Sequence, residues 1–118
     1  MRVDLIDNIA VVRPLGPMVS EVVEDLHAAL TGLVRREMRP IVVDLSEVDL
    51  ITSAGLGLLY AALKEAAGHG GLLVLAAPRP NVIRVVQEWG LDRFMAMYPS
   101  VGEACAAAHG APDAAPPV

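Results

Sequence analysis

The stretch "PIVVDLSEVDLITSAGLGLLYAAL", residues 40–63, contains the pattern that decides the fold. It begins with a β-branched apolar run, 40–45, which is typical of a strand covered on both faces. Residues 46–52 follow, with Ser46, Glu47, Asp49 and Thr52 among them, and are expected to form a loop. The Ala- and Leu-rich segment 54–67 predicts a helix, and the glycine-rich turn at 68–71 is suited to end it, because glycine readily adopts a left-handed helix cap. A strand, a loop and a helix in this order predict one unit of an α/β sheet.

The flanking sequence adds strands and helices on both sides of this unit. Two apolar runs, 3–6 and 9–12, surround Asp7-Asn8, a two-residue polar turn that typically joins an antiparallel hairpin. Further helices are predicted from Ser20 to Arg36, from Pro78-Arg79-Pro80 to about Trp89 and from Val101 to His109, and further strands over 72–77 and 94–98. The fold class is therefore α/β: a small mixed β-sheet with an antiparallel N-terminal hairpin and packed helices.

The composition predicts one globular domain over residues 1–109. The chain has 118 residues, of which 54% are hydrophobic and 19% charged, and this balance excludes a disordered protein. The last residues, "GAPDAAPPV" (110–118), have little to bury and are expected to form a disordered tail.

Charge and hydropathy exclude several locations and partners. No apolar run approaches the roughly 18 residues of a membrane-spanning helix, and the N-terminus carries acids where a signal peptide has bases. We therefore expect a cytoplasmic protein without membrane insertion. The net charge is −5 and the bases are scattered, apart from Arg35, Arg36 and Arg39. Nucleic acid binding needs a basic surface that displaces counterions, so no nucleic acid partner is expected.

The turn before the central helix does not match a nucleotide-binding or hydrolytic motif. "AGLGLLY" contains Gly-x-Gly, but Tyr60 stands where dinucleotide binding has a third glycine, and no Gly-Lys-Ser/Thr follows. Ser53 lies in Thr-Ser-Ala-Gly, without the alternate glycines of a nucleophile elbow. His27, His69 and His109 are far apart, so no catalytic triad or metal site can be assembled from them. We predict no catalytic residue, no metal and no cofactor.

Acidic residues near the end of the 40–45 strand raise the possibility of a phosphoacceptor aspartate. That chemistry needs further acids after the first strand and a late lysine, and Lys64 is the last lysine of the chain. Asp44, Glu47 and Asp49 are therefore expected to be solvated loop acids. Cys105 is the only cysteine and is expected to be a packed small side chain.

The central helix has two faces of different character. At 100° per residue, one face is predicted to pack on the sheet, namely Leu56, Leu59, Tyr60, Leu63 and Ala67. The opposite face carries the small or apolar residues Ala54, Leu58 and Ala61, with Glu65. Together with Gly55, which lets another backbone come close, these residues suit a partner-binding surface. The alternative is that other helices or the tail bury this face.

The sequence resembles the STAS domain of anti-sigma factor antagonists over about residues 5–108. The resemblance rests on "PIVVDLSEVDLITSAGLGLLYAAL" and "GGLLVLAAPRPNVIRVVQEWGLDRFMAMYPSVGEACAA". The residues that match the family pattern in order are Asp44-Leu45, Gly55-Leu56-Gly57, Gly70-Gly71 and Gly90-Leu91 with Phe94.

This resemblance implies a regulatory binding protein and not an enzyme. In the family, the unphosphorylated domain binds an anti-sigma factor that is also a serine kinase of the histidine-kinase-like ATPase type, and so frees a sigma factor. Phosphorylation of a serine or threonine just before Gly-Leu switches the domain off. The implied partner is therefore an anti-sigma factor of this type.

The chain departs from the family pattern where the phosphate is received. The family's aspartate falls on Thr52, its first serine on Ser53 and its phosphoacceptor on Ala54, which cannot be phosphorylated. Either Ser53 or Thr52 has taken over this role, or the protein is a constitutive binder. We favour the constitutive binder, because a shift of one residue at a helix start turns the acceptor by about 100°.

A second family role stays open at this point. STAS subunits of lipid-transporting ABC complexes often have Thr-Ala-Gly-Leu at this helix start, and Ser53-Ala54-Gly55-Leu56 partly resembles it. The sequence leaves the oligomeric state undetermined.

Overall fold

Five strands and four helices alternate along the chain in the computed structural model, which describes residues 1–37, 40–68 and 72–110. In chain order they are β1 (Arg2–Ile6), β2 (Ile9–Arg13), α1 (Ser20–Glu37), β3 (Ile41–Asp44), α2 (Ser53–Gly68), β4 (Leu73–Ala76), α3 (Pro80–Glu88), a 3₁₀ turn (Leu91–Arg93), β5 (Met97–Tyr98) and α4 (Val101–Gly110). The strands form one sheet in the order β1-β2-β3-β4-β5. The predicted α/β class and element order are confirmed.

The sheet is mixed because only its first pair is antiparallel. β1 and β2 pair from Arg2 opposite Arg13 to Ile6 opposite Ile9. Asp7 and Asn8 between them both have positive φ, 48° and 68°, which is the geometry of a type I′ turn and matches the twist of the strands. The remaining neighbours are parallel, since each is reached through a helical crossover. The predicted N-terminal hairpin is confirmed.

Helices cover both faces of the sheet and enclose two apolar clusters. Because side chains alternate along a strand, β3 directs Ile41 and Val43 to one face and Val42 to the other. The larger cluster lies on the first face, with α1, α2 and α3, and α4 covers the second face. α1 and α2 also pack on each other, which places the start of α2 beside the segment before α1.

The buried face of α2 differs from the predicted one. Leu56 and Leu59 are buried as expected, but Ala67 is exposed. The fully buried positions on the helix are Gly55, Leu56, Leu59, Ala62 and Ala66. Small residues occupy three of these five positions and allow close approach, while the larger Tyr60 and Leu63 pack at the boundary.

The segment after α3 also differs from expectation. Val82 and Val86 are buried, whereas Trp89 caps the helix end and is 60% exposed. The strand predicted over 94–98 is reduced to Met97–Tyr98. Phe94 lies before it, and its ring makes a T-shaped contact with the Tyr60 ring, with the centroids 5.9 Å apart. This contact ties the segment to α2.

The predicted chain ends need one correction. α4 ends at Gly110, one residue beyond the predicted His109, so that residue belongs to the helix and not to the tail. The rest of the predicted tail, 111–118, lies outside the described residues, as does most of the predicted glycine turn, 69–71.

Candidate partner-binding site

Two loops are joined side by side at the carboxyl end of the sheet. They are the loop between β2 and α1 and the loop between β3 and α2. In the first loop, the Gly16 N–H donates to the Glu47 carbonyl of the second (2.9 Å), and the Met18 N–H donates to the Leu50 carbonyl (2.8 Å). Met18 also forms a parallel β-bridge with Ile51. These backbone contacts hold the start of α1 against the start of α2.

Thr52 is the N-cap of α2 and connects it to the neighbouring loop. Its Oγ1 accepts a hydrogen bond from the Gly55 N–H (3.1 Å), which satisfies one of the free donors of the first turn. The same hydroxyl donates to the Met18 carbonyl (2.8 Å). Thr52 therefore uses its single proton, and an oxygen lone pair, in holding this site together.

Gly55 lies under the site and not on its surface, contrary to the expectation that it contacts a partner. It is buried, and a Cβ there would come within 3.2 Å of the Met18 Cβ and 3.3 Å of the Ile51 Cγ1. A glycine at this position lets the helix start sit close to the joined loops.

The other residues of the predicted face remain at the surface. Ser53, Ala54 and Ala61 are exposed, and Leu58 and Glu65 are half-buried. Leu58 also packs against the larger apolar cluster. The described residues thus leave this face open, which disfavours the alternative that other helices bury it.

The structure adds exposed apolar side chains that sequence reasoning missed. Leu15, Val19 and Leu50 are all exposed, Leu50 by 52%, and they lie in or directly after the two joined loops. We use the term α2 surface for Leu15, Val19, Leu50, Ala54, Leu58 and Ala61. The signal in the sequence was an apolar residue in each loop, but nothing local indicated that the loops meet.

Asp44 is buried and ion-paired, contrary to the expectation of a solvated loop acid. Its Oδ2 accepts from the Arg13 Nε at 2.7 Å, and its Oδ1 accepts from the Ser46 N–H at 3.0 Å. Burial acts to raise the pKa of Asp44, but the hydrogen bonds from Ser46 and Arg13 outweigh it and lower the pKa below its usual value. Glu47 and Asp49 are exposed, as expected.

Among the described residues, no group of three His, Cys, Asp or Glu side chains could hold a metal ion. His27 is exposed, and the side chains of His69 and His109 lie outside those described. Cys105 lies on α4 and is half-buried against the apolar cluster on the second face of the sheet. Burial raises the pKa of its thiol, and the charge of Asp7 raises it further.

Within the part of the chain that the structure describes, each helix is too short or too polar to cross a membrane.

Known proteins share the sequence pattern of this chain. The family model of the STAS domain matches residues 1–104. BtrV of Bordetella bronchiseptica, a protein that bears the name of an anti-sigma factor antagonist, is 32% identical over 110 residues, covering 92% of each chain.

Solved structures of antagonists share the fold. An anti-sigma factor antagonist from Mycobacterium paratuberculosis superimposes with a TM-score of 0.77 at 26% identity, covering 92% of both chains. The unphosphorylated form of the antagonist SpoIIAA superimposes with a TM-score of 0.80 at 23% identity, covering 92% of this chain and 96% of SpoIIAA.

Proposed function

The chain belongs to the STAS domain family, and we propose that it is an anti-sigma factor antagonist, a regulatory protein that acts by binding and not by catalysis. The observation that carries the proposal is the α2 surface. Exposed apolar side chains lie in two joined loops and on α2, whose first turn is hydrogen-bonded to one of these loops through Thr52. Such a preorganised apolar surface suits protein docking, because little order has to be gained on binding.

The proposed partner is an anti-sigma factor of the histidine-kinase-like ATPase type, acting in the cytoplasm. Binding would sequester that protein and free its sigma factor for transcription. The names of the relatives favour this role over that of a STAS subunit in a lipid-transporting ABC complex.

We further propose that the kinase partner does not switch this protein off by phosphorylation. The exposed position at the second residue of α2 is Ala54, which has no hydroxyl. Phosphorylation of Thr52 would remove the proton that it donates to the Met18 carbonyl and so would break its hydrogen bond to the neighbouring loop. Ser53 is exposed, but its side chain leaves the helix about 100° away from that of Ala54.

A binding experiment with matched variants tests the proposal. The protein, immobilised, is used to capture proteins from its native cell, and bound ATPases are identified by mass spectrometry. Ala61→Glu places a charge in the α2 surface, while Ala106→Glu places the same charge at an exposed alanine of α4, on the other side of the sheet. We expect wild type and Ala106→Glu to retain one ATPase and Ala61→Glu to lose it by at least about tenfold, which corresponds to about 1.4 kcal/mol.

The same experiment defines failure. The proposal is wrong if wild type retains no ATPase, or if Ala61→Glu retains it as well as Ala106→Glu does. Leu58→Glu is a second variant in the surface; because Leu58 also packs inward, its far-UV circular dichroism must match that of wild type.

A further inference from the structure

The outer edge of β1 is an exposed apolar strand without a partner in the described structure. β1 is the first strand of the sheet and pairs only with β2. It has five residues and no proline, and Val3 and Leu5 are 49% and 61% exposed. Proteins usually protect such an edge, because its free N–H and C=O groups can pair with another strand. The other sheet edge, β5, has only two residues.

The hairpin geometry defines which backbone groups face outward. In a hairpin with a two-residue turn, the closing pair, here Ile6 and Ile9, exchanges hydrogen bonds, and bonded and non-bonded pairs then alternate. Val3 and Leu5 therefore fall in the non-bonded pairs. Their N–H and C=O groups point to the free edge.

We propose that this edge binds β1 of a second copy of the chain, antiparallel, with Val3 opposite Val3. The outward groups of the two Val3 residues then exchange hydrogen bonds, and the two sheets become continuous. Met1 of each copy lies opposite Leu5 of the other, so exposed apolar side chains of one face cover each other. On the other face, Arg2 of each copy lies opposite Asp4 of the other, and the charges are complementary.

The alternative registers that keep outward groups paired are less favourable. If Val3 lies opposite Leu5, the two copies of Asp4 face each other. If Met1 lies opposite Val3, the two copies of Arg2 face each other. Like charges directly opposite destabilise a strand pair. If Leu5 lies opposite Leu5, Asp4 faces Ile6 and Arg2 has no residue opposite it. The pattern Arg-Val-Asp-Leu is thus self-complementary in one register.

Disulfide cross-linking tests that register. Cys105→Ala removes the native cysteine, and Val3→Cys then places two thiols across the proposed two-fold axis. Their Cα atoms would be about 5.5 Å apart, within the range of a disulfide. Leu5→Cys in the same background is the control, because its two copies would be separated by four residues along the strands, about 13 Å. We expect a covalent dimer from Val3→Cys under mild oxidation and none from Leu5→Cys; equal cross-linking of both, or none from Val3→Cys, overturns the proposal.

Charge exchange tests the pairing without a covalent bond. Sedimentation over a concentration series should show wild type approaching twice the 12.4 kDa of one chain. Arg2→Asp and Asp4→Arg should each weaken association at least about tenfold, and the double variant should restore it. The pairing is refuted if the protein still sediments with the mass of a single chain at a concentration of about 1 mM, at which even weak specific pairs associate. Association that neither single variant weakens, or that the double variant does not restore, refutes it equally.

Discussion

Removal of the Thr52 hydroxyl is expected to destabilise the protein well beyond the cost of an ordinary surface change. Thr52→Val keeps the shape of the side chain but removes the atom that accepts from the Gly55 N–H and donates to the Met18 carbonyl. Loss of a helix N-cap costs about 1 kcal/mol. The Met18 carbonyl loses its hydroxyl donor beside a fully buried side chain, which costs about 1 kcal/mol more.

The two contributions predict a free energy of unfolding lower by about 2 kcal/mol. For a domain of this size the Tm should fall by about 8 °C, at about 4 °C per kcal/mol. Urea unfolding followed by far-UV circular dichroism measures the change, and an unchanged m value shows that the unfolded state is not altered.

Adjacent hydroxyl variants serve as controls. Ser53→Ala removes an exposed hydroxyl and should change the stability by less than about 0.5 kcal/mol. Thr52→Ser keeps both hydrogen bonds and should retain most of the stability. If Thr52→Val is no more destabilising than Ser53→Ala, the connection between α2 and the neighbouring loop has no energetic weight.

Three further outcomes are expected from the same structure. Arg13→Gln should lower the urea midpoint at pH 7, because it breaks the ion pair with Asp44. The pKa of Asp44 is depressed, so the difference between variant and wild type should shrink as the pH falls below about 4 and Asp44 becomes protonated. A difference that does not depend on pH would contradict this. Gly57→Ala should stabilise α2 by about 0.5–1 kcal/mol, because a Cβ there has open space. Gly55→Ala should not stabilise it, because its Cβ would meet Met18. Equal urea midpoints for the two variants would count against close packing at Gly55. Ala54→Ser should leave the urea midpoint unchanged and, with the captured ATPase and ATP, should gain a phosphate by intact mass, while wild type gains none; a phosphate on wild type would refute the constitutive role.

Local sequence patterns were sufficient for the order of elements. The two apolar runs around Asp7-Asn8 and the β-branched run 40–45 each depend on near neighbours, so they can be recognised in the sequence. The buried face of α2 was only partly predicted, because periodicity defines a stripe without its exact rotation. Which residues face inward was decided by close packing of small side chains, such as Ala62 and Ala66, against other elements.

Features that depend on distant residues could not be predicted. The burial and ion pair of Asp44 do not follow from local sequence, because its partner, Arg13, lies on another strand, 31 positions away. The contribution of Leu50 and Val19 to the α2 surface depends on the backbone bond between Met18 and Leu50, which joins two loops. Trp89 follows Val82 and Val86 at a spacing that fits one face of a helix. It lies at the C-terminal end of α3, however, and is exposed while the two valines are buried.

The exposure of Ala54 has a consequence for the evolution of this protein. The residue makes up part of the surface but carries none of the packing or capping of α2, which depend on Thr52 and Gly55. Alanine and serine can therefore replace each other there at little cost to folding. Under the proposed function, one substitution at this position would add or remove the hydroxyl that a kinase partner needs, and selection on the timing of the response would act independently of selection on stability.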